Sequence, residues 1–302
     1  NPFNYKYRNL LTKKLDMHYE YIFYIKKEKM SNKQPEVYFY VPYADVLQVR
    51  EDEEKYTYAN GIVSRRKFLK SPLNYIGGKY KLLPQLIEFF PEKINTFVDL
   101  FSGGFNVGIN VDCNKVICND MNTFIIDLYK ELYSKPIDET LNKITGRINE
   151  YGLSKENEEA FKKFRDYYNK TKEPIDLYTL SCYSFNYQFR FNNNKEYNNP
   201  FGRNRSQFSD NMKSNLILFT EKLKSMNVEF LSEPFDKVDL SKLNSEDFVY
   251  CDPPYLITTG SYNDGNRGFK DWKEEEEIQL YKVLDELNRR KVKFALSNVI
   301  EH

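Results

Sequence analysis

The sequence predicts an α/β fold: a Rossmann-like sheet, interrupted by a helical insertion and preceded by an N-terminal extension. Three observations carry this expectation. Short apolar runs of strand length occur at 97–101, 116–118, 228–231, 248–251 and 292–296, separated by polar turns or by helical patterning. The first run leads into Ser102-Gly103-Gly104 and a helix-like stretch, the order in which a nucleotide-binding unit opens. Between 134 and 227 the strand signal gives way to amphipathic helical patterns near 137–150, 155–169, 175–187 and 211–226.

Taken in order, residues 1–66 form a charged, Tyr-rich extension. There Val37, Phe39 and Val41 alternate with tyrosines and read as a strand ending at Pro42, because proline cannot continue a sheet ladder. This extension is expected to be an accessory unit, either packing on the main body or contacting DNA or a partner. Residues 67–133 are the first part of the α/β unit: strand, glycine turn, helix, strand, then Asn119-Asp120 and a helix through Tyr133. Residues 134–227 are the helical insertion, with a loop or hairpin at 192–205 rich in Asn, Gly, Pro and Arg. Residues 228–302 resume the α/β pattern. The stretch 274–290 is a helix with an acidic first turn, a basic last turn, and Ile278, Tyr281, Leu284 and Leu287 on one face.

Composition narrows the function. The chain has 302 residues, 40% hydrophobic and 29% charged, with a formal net charge of +1, which fits a globular protein and does not by itself announce a nucleic-acid binder. The basic residues are uneven: Arg65-Arg66-Lys67 and Arg289-Arg290-Lys291 are tight clusters that read equally well as solvated faces. A third stretch, 188–213, interleaves Arg190, Lys195, Arg203, Arg205 and Lys213 with aromatics and amides. The cysteines show no CxxC spacing and read as buried small hydrophobes of a reducing compartment. The histidines, His18 and His302, lie far apart, which argues against a histidine triad and a His/Cys metal site. No run reaches membrane-spanning length and no signal peptide is evident, so a cytoplasmic location is expected.

The chemistry concentrates at strand ends. Asp252-Pro253-Pro254-Tyr255 follows the apolar run at 248–251. Two prolines force the chain out of the sheet at the strand's carboxyl end, where ligands of open α/β sheets sit. A carboxylate, rigid carbonyls and an aromatic face there suit a flat ring carrying an amino group. After Asp99, Gly103 and Gly104 let the backbone approach a ligand. Asp120 ends the next strand about 20 residues further on, where an acidic residue takes ribose hydroxyls; its other reading is a helix N-cap. Asn74-Tyr75-Ile76-Gly77-Gly78-Lys79 is a second glycine turn, and no Walker pattern is present.

These segments, together with Arg190-Phe191-Asn192 and Glu196-Tyr197-Asn198-Asn199-Pro200-Phe201-Gly202, occur in the order found in DNA adenine-N6 methyltransferases of the Dam type. The chain resembles the alpha arrangement of that family over roughly residues 70–300. The resemblance implies a Rossmann-like methyltransferase sheet with an inserted target-recognition domain, S-adenosylmethionine as cofactor and double-stranded DNA as substrate. By position, Tyr75, Lys79, Asp99, Phe101, Gly103 and Gly104 would line the cofactor site. Asp120 would hold the ribose, and Asp252 would lie between cofactor and target base. Arg190, Asn192, Asn198, Arg203 and Arg205 would contact DNA. No metal is implied.

In such an enzyme Asp252 and the Pro253 carbonyl would accept the two N6 hydrogens of a flipped adenine, Pro254 would stiffen the turn, and Tyr255 would stack on the base. Alternatives stay open: an N4-cytosine enzyme, or a weakly active DNA-binding subunit needing a partner chain. The second arises because Dam-type relatives continue beyond the position of His302 with a further strand pair, so the expectation is that residues 228–302 lack the closing C-terminal strands. A cognate restriction endonuclease, or a second chain completing the fold, is the partner this reading allows.

Overall fold

The structure, a computed structural model, describes residues 68–255 and 272–298 and the backbone of three strands within 1–66. The cluster Arg65-Arg66-Lys67 lies outside the described residues. Strands are β1 (Ile22–Ile25), β2 (Glu36–Tyr40), β3 (Leu47–Arg50), β4 (Thr96–Asp99), β5 (Lys115–Asn119), β6 (Val228–Leu231), β7 (Phe248–Cys251) and β8 (Lys293–Asn298). They form one sheet in the order β3-β2-β1-β8-β7-β4-β5-β6. The run β8-β7-β4-β5-β6 is parallel throughout. β1 adds to β8 in parallel, with β2 antiparallel to β1 and β3 antiparallel to β2.

The strands of the parallel run alternate sides, as a strand sandwiched between two layers must. Val98, Ile117, Val249, Phe294 and Leu296 face one layer. Phe97, Val116, Cys118, Phe248, Tyr250 and Ala295 face the other. The first layer is covered by α7 (Glu274–Arg289), through Leu280, Tyr281, Leu284 and Leu287. The other carries α1 (Leu83–Leu86), α2 (Thr123–Ser134) and the helices of the 134–227 segment: α3 (Ile137–Tyr151), α4 (Glu158–Thr171), α5 (Pro174–Cys182) and α6 (Asp210–Ser225). Phe164, Tyr168, Leu177 and Leu180 of that segment belong to the same buried cluster as Phe97 and Val116. The insertion therefore shares its core with one face of the sheet. α5 is buried all round, which accounts for its weak amphipathic pattern, and its Asp176 is neutralised by Arg147, whose Nε lies 3.1 Å away.

Two helical expectations are corrected. The stretch after Gly104 is not a helix but a single 3-10 turn, Gly108–Asn110. Asn106 and Asn110 turn their side chains to the backbone of 69–71 instead: Asn106 Oδ1 accepts from Ser71 N at 2.9 Å and Asn110 Oδ1 from Leu69 N at 2.8 Å. Short polar side chains compete with the helical ladder in this way. The helix read at 175–187 ends at Cys182: Ser184 turns extended at φ −86° and ψ 158°, and Asn186 and Tyr187 then take left-handed φ values of 53° and 56°. The cysteines Cys118, Cys182 and Cys251 are buried as expected, while Cys113 is half-buried. Arg289-Arg290-Lys291 is in part a structural cluster: Arg290 donates to the carbonyls of Leu240, Ser241 and Leu243 at 3.0, 2.8 and 2.6 Å. Among the described residues no helix is long and apolar enough to cross a membrane.

Candidate active site

β4 lies between β5 and β7, and the chain fills the sheet outward from it first through β5 and β6, then through β7 and β8. That makes the β4–β7 boundary the switch point, where the loops leaving adjacent strand ends part and open a crevice. A cleft of about 290 Å³ lies there. Tyr75, Lys79, Asp99, Phe101, Gly103, Gly104, Asp120, Asp252, Pro253, Pro254 and Tyr255 all line it.

The glycine turn is built against an aromatic ring. Gly103 has φ 46°, and a Cβ on it would come within 3.0 Å of the Tyr75 ring; a Cβ on Gly104 would come within 3.1 Å of Tyr75 Cβ. Larger residues would displace Tyr75 from the cleft wall. Asp120 braces the turn: its Oδ2 accepts from Gly103 N and its Oδ1 from Asn122 N, both at 2.8 Å. It is not the N-cap. That role belongs to Asn122, whose side chain accepts from Phe124 N. Asp120 is thereby left on the cleft wall with lone pairs to spare.

Asp99 is 1% exposed, and its Oδ2 accepts from Gly108 N at 3.0 Å. Burial raises its pKa to about 7, with Asp252 and Asp120 adding to the rise and the Gly108 N–H and Lys79 opposing it. Burial likewise raises Asp120 to about 6 against the pull of its two backbone donors. Asp252 is gripped from both sides. Lys79 Nζ pairs with Oδ2, and the Tyr255 hydroxyl donates to Oδ1 at 3.0 Å. Lys79 also donates to Gly77 O at 3.0 Å and sits 5.3 Å from the centre of the Tyr255 ring. Among the described residues lining the cleft it is the only cation, facing Asp99, Asp120, Glu233, Asp236, Asp252 and Glu276. A cleft with that balance favours a cationic ligand and repels phosphate.

One wall is aromatic, and of its three rings the sequence pattern marks Phe101 alone. Phe101, Phe235 and Trp272 pack together at ring-centre distances of 5.4 Å (Phe101–Phe235), 5.6 Å (Phe101–Trp272) and 5.4 Å (Phe235–Trp272). The strand-end rule applied to β6, as it was to β4, β5 and β7, would have flagged Glu233-Pro234-Phe235. Asn119 fixes that segment, donating to Glu233 O at 3.1 Å and accepting from Glu233 N at 3.0 Å. Nothing local marks Trp272.

The residues expected to contact DNA line no part of the cleft. The 190–198 stretch is a hairpin, with Phe191 bridged to Tyr197 and Asn198 N donating to Arg190 O at 3.0 Å. Asn192 closes its turn: Oδ1 accepts from Asn194 N and Glu196 N at 3.0 and 2.9 Å, and Nδ2 donates to Glu196 at 2.8 Å. Asn198 and Arg190 are half-buried, while Arg203 and Arg205 are exposed. Arg203 pairs with Glu158, and Arg205 lies over the exposed Phe185 ring at 5.0 Å. The hairpin base is tied to the cleft: Asn74, beside Tyr75, bridges to Gln188 and donates to Asn186 O at 2.6 Å.

Residues 75–301 match the family described as D12 class N6 adenine-specific DNA methyltransferase. The chain is 53% identical over 303 residues to the type II methyltransferase M.FokI of Planomicrobium okeanokoites, covering 98% of this chain and 43% of that protein. It is 56% identical over 241 residues to the modification methylase StsI of Streptococcus sanguinis, covering 80% of this chain and 37% of that protein. It is 28% identical over 239 residues to the DNA adenine methylase of Escherichia coli K12, covering 77% and 80%. The chain thus spans about two fifths of the length of the first two relatives.

Proposed function

The chain belongs to the D12 class N6 adenine-specific DNA methyltransferases, and from that premise we propose that it transfers a methyl group from S-adenosylmethionine to N6 of an adenine flipped out of duplex DNA, as part of a restriction–modification system. The observation that carries the proposal is the grip on Asp252: a carboxylate at the end of β7, held by Lys79 and Tyr255 at the mouth of an acidic, aromatic-walled cleft.

The residues present fit the cofactor. Its positive charges suit the excess of carboxylates, its ribose hydroxyls suit Asp120, and its flat ring suits the wall of Phe101, Phe235 and Trp272. When bound, S-adenosylmethionine would supply an electrophilic methyl group and leave as S-adenosylhomocysteine, and the proton given up by N6 would pass to solvent. Asp252 prepares N6 for this. A carboxylate has about four acceptor sites, so the bonds to Lys79 and Tyr255 fix its plane and still leave sites for an N6–H. The Pro253 carbonyl, held by a rigid turn, accepts the other N6–H. Both bonds favour localising the amino lone pair on nitrogen, away from the ring. Stacking on Tyr255 offsets part of the unstacking cost, at about 1–3 kcal/mol. The exposed Arg203 and Arg205 serve the phosphate backbone or guanine edges, and the Asn74–Asn186 link sets the hairpin's distance from the cleft.

Incubation with duplex DNA and methyl-labelled S-adenosylmethionine tests this. Label recovered as N6-methyladenine is the expected result. Label on cytosine N4 would refute the adenine assignment, and no transfer by a chain that still binds DNA would favour a subunit that needs a partner.

A further inference from the structure

The acidic first turn of α7, Glu274–Glu277, is more than a match to the helix dipole. Glu276 caps the helix, accepting from Lys273 N at 3.0 Å. Glu277 turns inward and is 1% exposed. Its Oε2 accepts from the Trp272 indole N–H at 2.7 Å. Its Oε1 accepts from the Tyr281 hydroxyl at 2.6 Å and from Asn298 Nδ2 at 2.7 Å. All three of these donors are neutral. A buried carboxylate held by neutral donors is expensive, and the α7 N-terminus offsets only part of that.

What the carboxylate joins explains its presence. Trp272, the chain's one tryptophan, is a member of the aromatic cleft wall. Tyr281 lies on α7. Asn298 ends β8, two positions beyond Leu296, which is in register with Cys251; it therefore lies level with Pro253, one residue past Asp252. One carboxylate ties the cofactor wall to the helix behind it and to the strand flanking Asp252.

We propose that Glu277 is a positioning residue for cofactor binding: it sets the plane of Trp272 and so the shape of the aromatic wall. The inference rests on the reading of the cleft as a cofactor site. A carboxylate is needed because a glutamine offers one acceptor oxygen where three donors converge.

The test measures the affinity of S-adenosylhomocysteine by calorimetry, and the emission of Trp272 with and without that ligand. In the unaltered chain the ligand should bind and change the emission saturably. Glu277→Gln should shift the emission of the ligand-free protein and weaken binding about tenfold, or about 1.4 kcal/mol. It should raise KM for S-adenosylmethionine by a similar factor and leave kcat within about twofold. Tyr281→Phe, a milder change that keeps the fold if Glu277→Gln does not, should weaken binding two- to threefold. In a Trp272→Phe background the Glu277→Gln penalty should vanish. Unchanged affinity and emission in Glu277→Gln, or an equal penalty in the Trp272→Phe background, would overturn the inference alone. No binding by the unaltered chain would overturn the cofactor reading, and the inference with it.

Discussion

The cleft and the hairpin region at 190–205 are built on different terms. In the cleft, the carboxylates at the ends of β4, β5 and β7 are buried or half-buried, and all three are held by specific donors: Asp99 by Gly108, Asp120 by Gly103 and Asn122, Asp252 by Lys79 and Tyr255. On the hairpin Arg190, Asn192 and Asn198 are half-buried while Arg203 and Arg205 stand exposed, and some are spent on the hairpin or on its neighbours. Asn192 closes the turn, and Arg203 meets Glu158. A buried polar group left unpaired is destabilising, so in the cleft position and partner come fixed together. An exposed one is always satisfied by water, so composition does not reveal its task. The difference separates polar groups whose geometry is fixed by protein partners from polar groups left to water.

Replacing Asp252 by Asn should break the cleft and spare the hairpin. Methyl transfer in single-turnover assays should fall by about 10³-fold or more, on the scale of losing one oriented polar contact at the reacting atom, while DNA affinity stays within a few-fold. Loss of both together would show that the two regions are not separable. The converse break is Gly202→Ala, at the hairpin's exit. A Cβ there would sit 2.0 Å from Ser206 Oγ and 2.7 Å from Ser184 O. Thermal unfolding should show a loss of about 1–3 kcal/mol. By contrast, Gly146→Ala, in α3 with nothing within 4 Å, should stabilise by about 0.5–1 kcal/mol.

Acidity separates the regions next. Folded Asp99 keeps its proton to about pH 7, and an unfolded aspartate loses it near 3.8. Between those values the folded state binds more protons, so this group's contribution to stability falls as pH rises. A cationic ligand favours the ionised carboxylates, so its binding releases protons and tightens as pH rises through about 6 for Asp120 and about 7 for Asp99. Titration with S-adenosylmethionine should give a Kd about tenfold weaker at pH 5.5 than at pH 8. Flat affinity over that range would mean that neither carboxyl meets the ligand's charge. The smallest effect belongs to Arg205→Ala. DNA affinity should drop several-fold and the slope of log affinity against log salt should fall by about 1, with cofactor affinity unchanged.

How legible the molecule was follows the same division. The apolar runs at 116–118, 228–231 and 248–251 fall within strands, and the cleft residues from Tyr75 to Tyr255 meet in one place. Each run or turn is short enough for local sterics to decide it: prolines end β7, and glycines let the β4 turn close on Tyr75. The stretch after Gly104 was misread because Asn106 and Asn110 bond to a segment some 35 to 41 residues away. Helical patterning in a window cannot register such a partner.

By itself, the sequence determined the strands of the parallel run and the chemical type of group at the ends of β4, β5 and β7, because those depend on neighbours within a few positions. The tertiary structure alone decided the pairings. Lys79 meets Asp252 across 173 residues, and Asn74 meets Asn186 across 112. Phe101, Phe235 and Trp272 become one wall from three separate segments. Glu277, one of four glutamates in a row, becomes the one that grips that wall. The order β8-β7-β4-β5-β6 makes these contacts: it sets the ends of β4 and β7 side by side, and strand order is a property of the packed sheet, not of any stretch of chain.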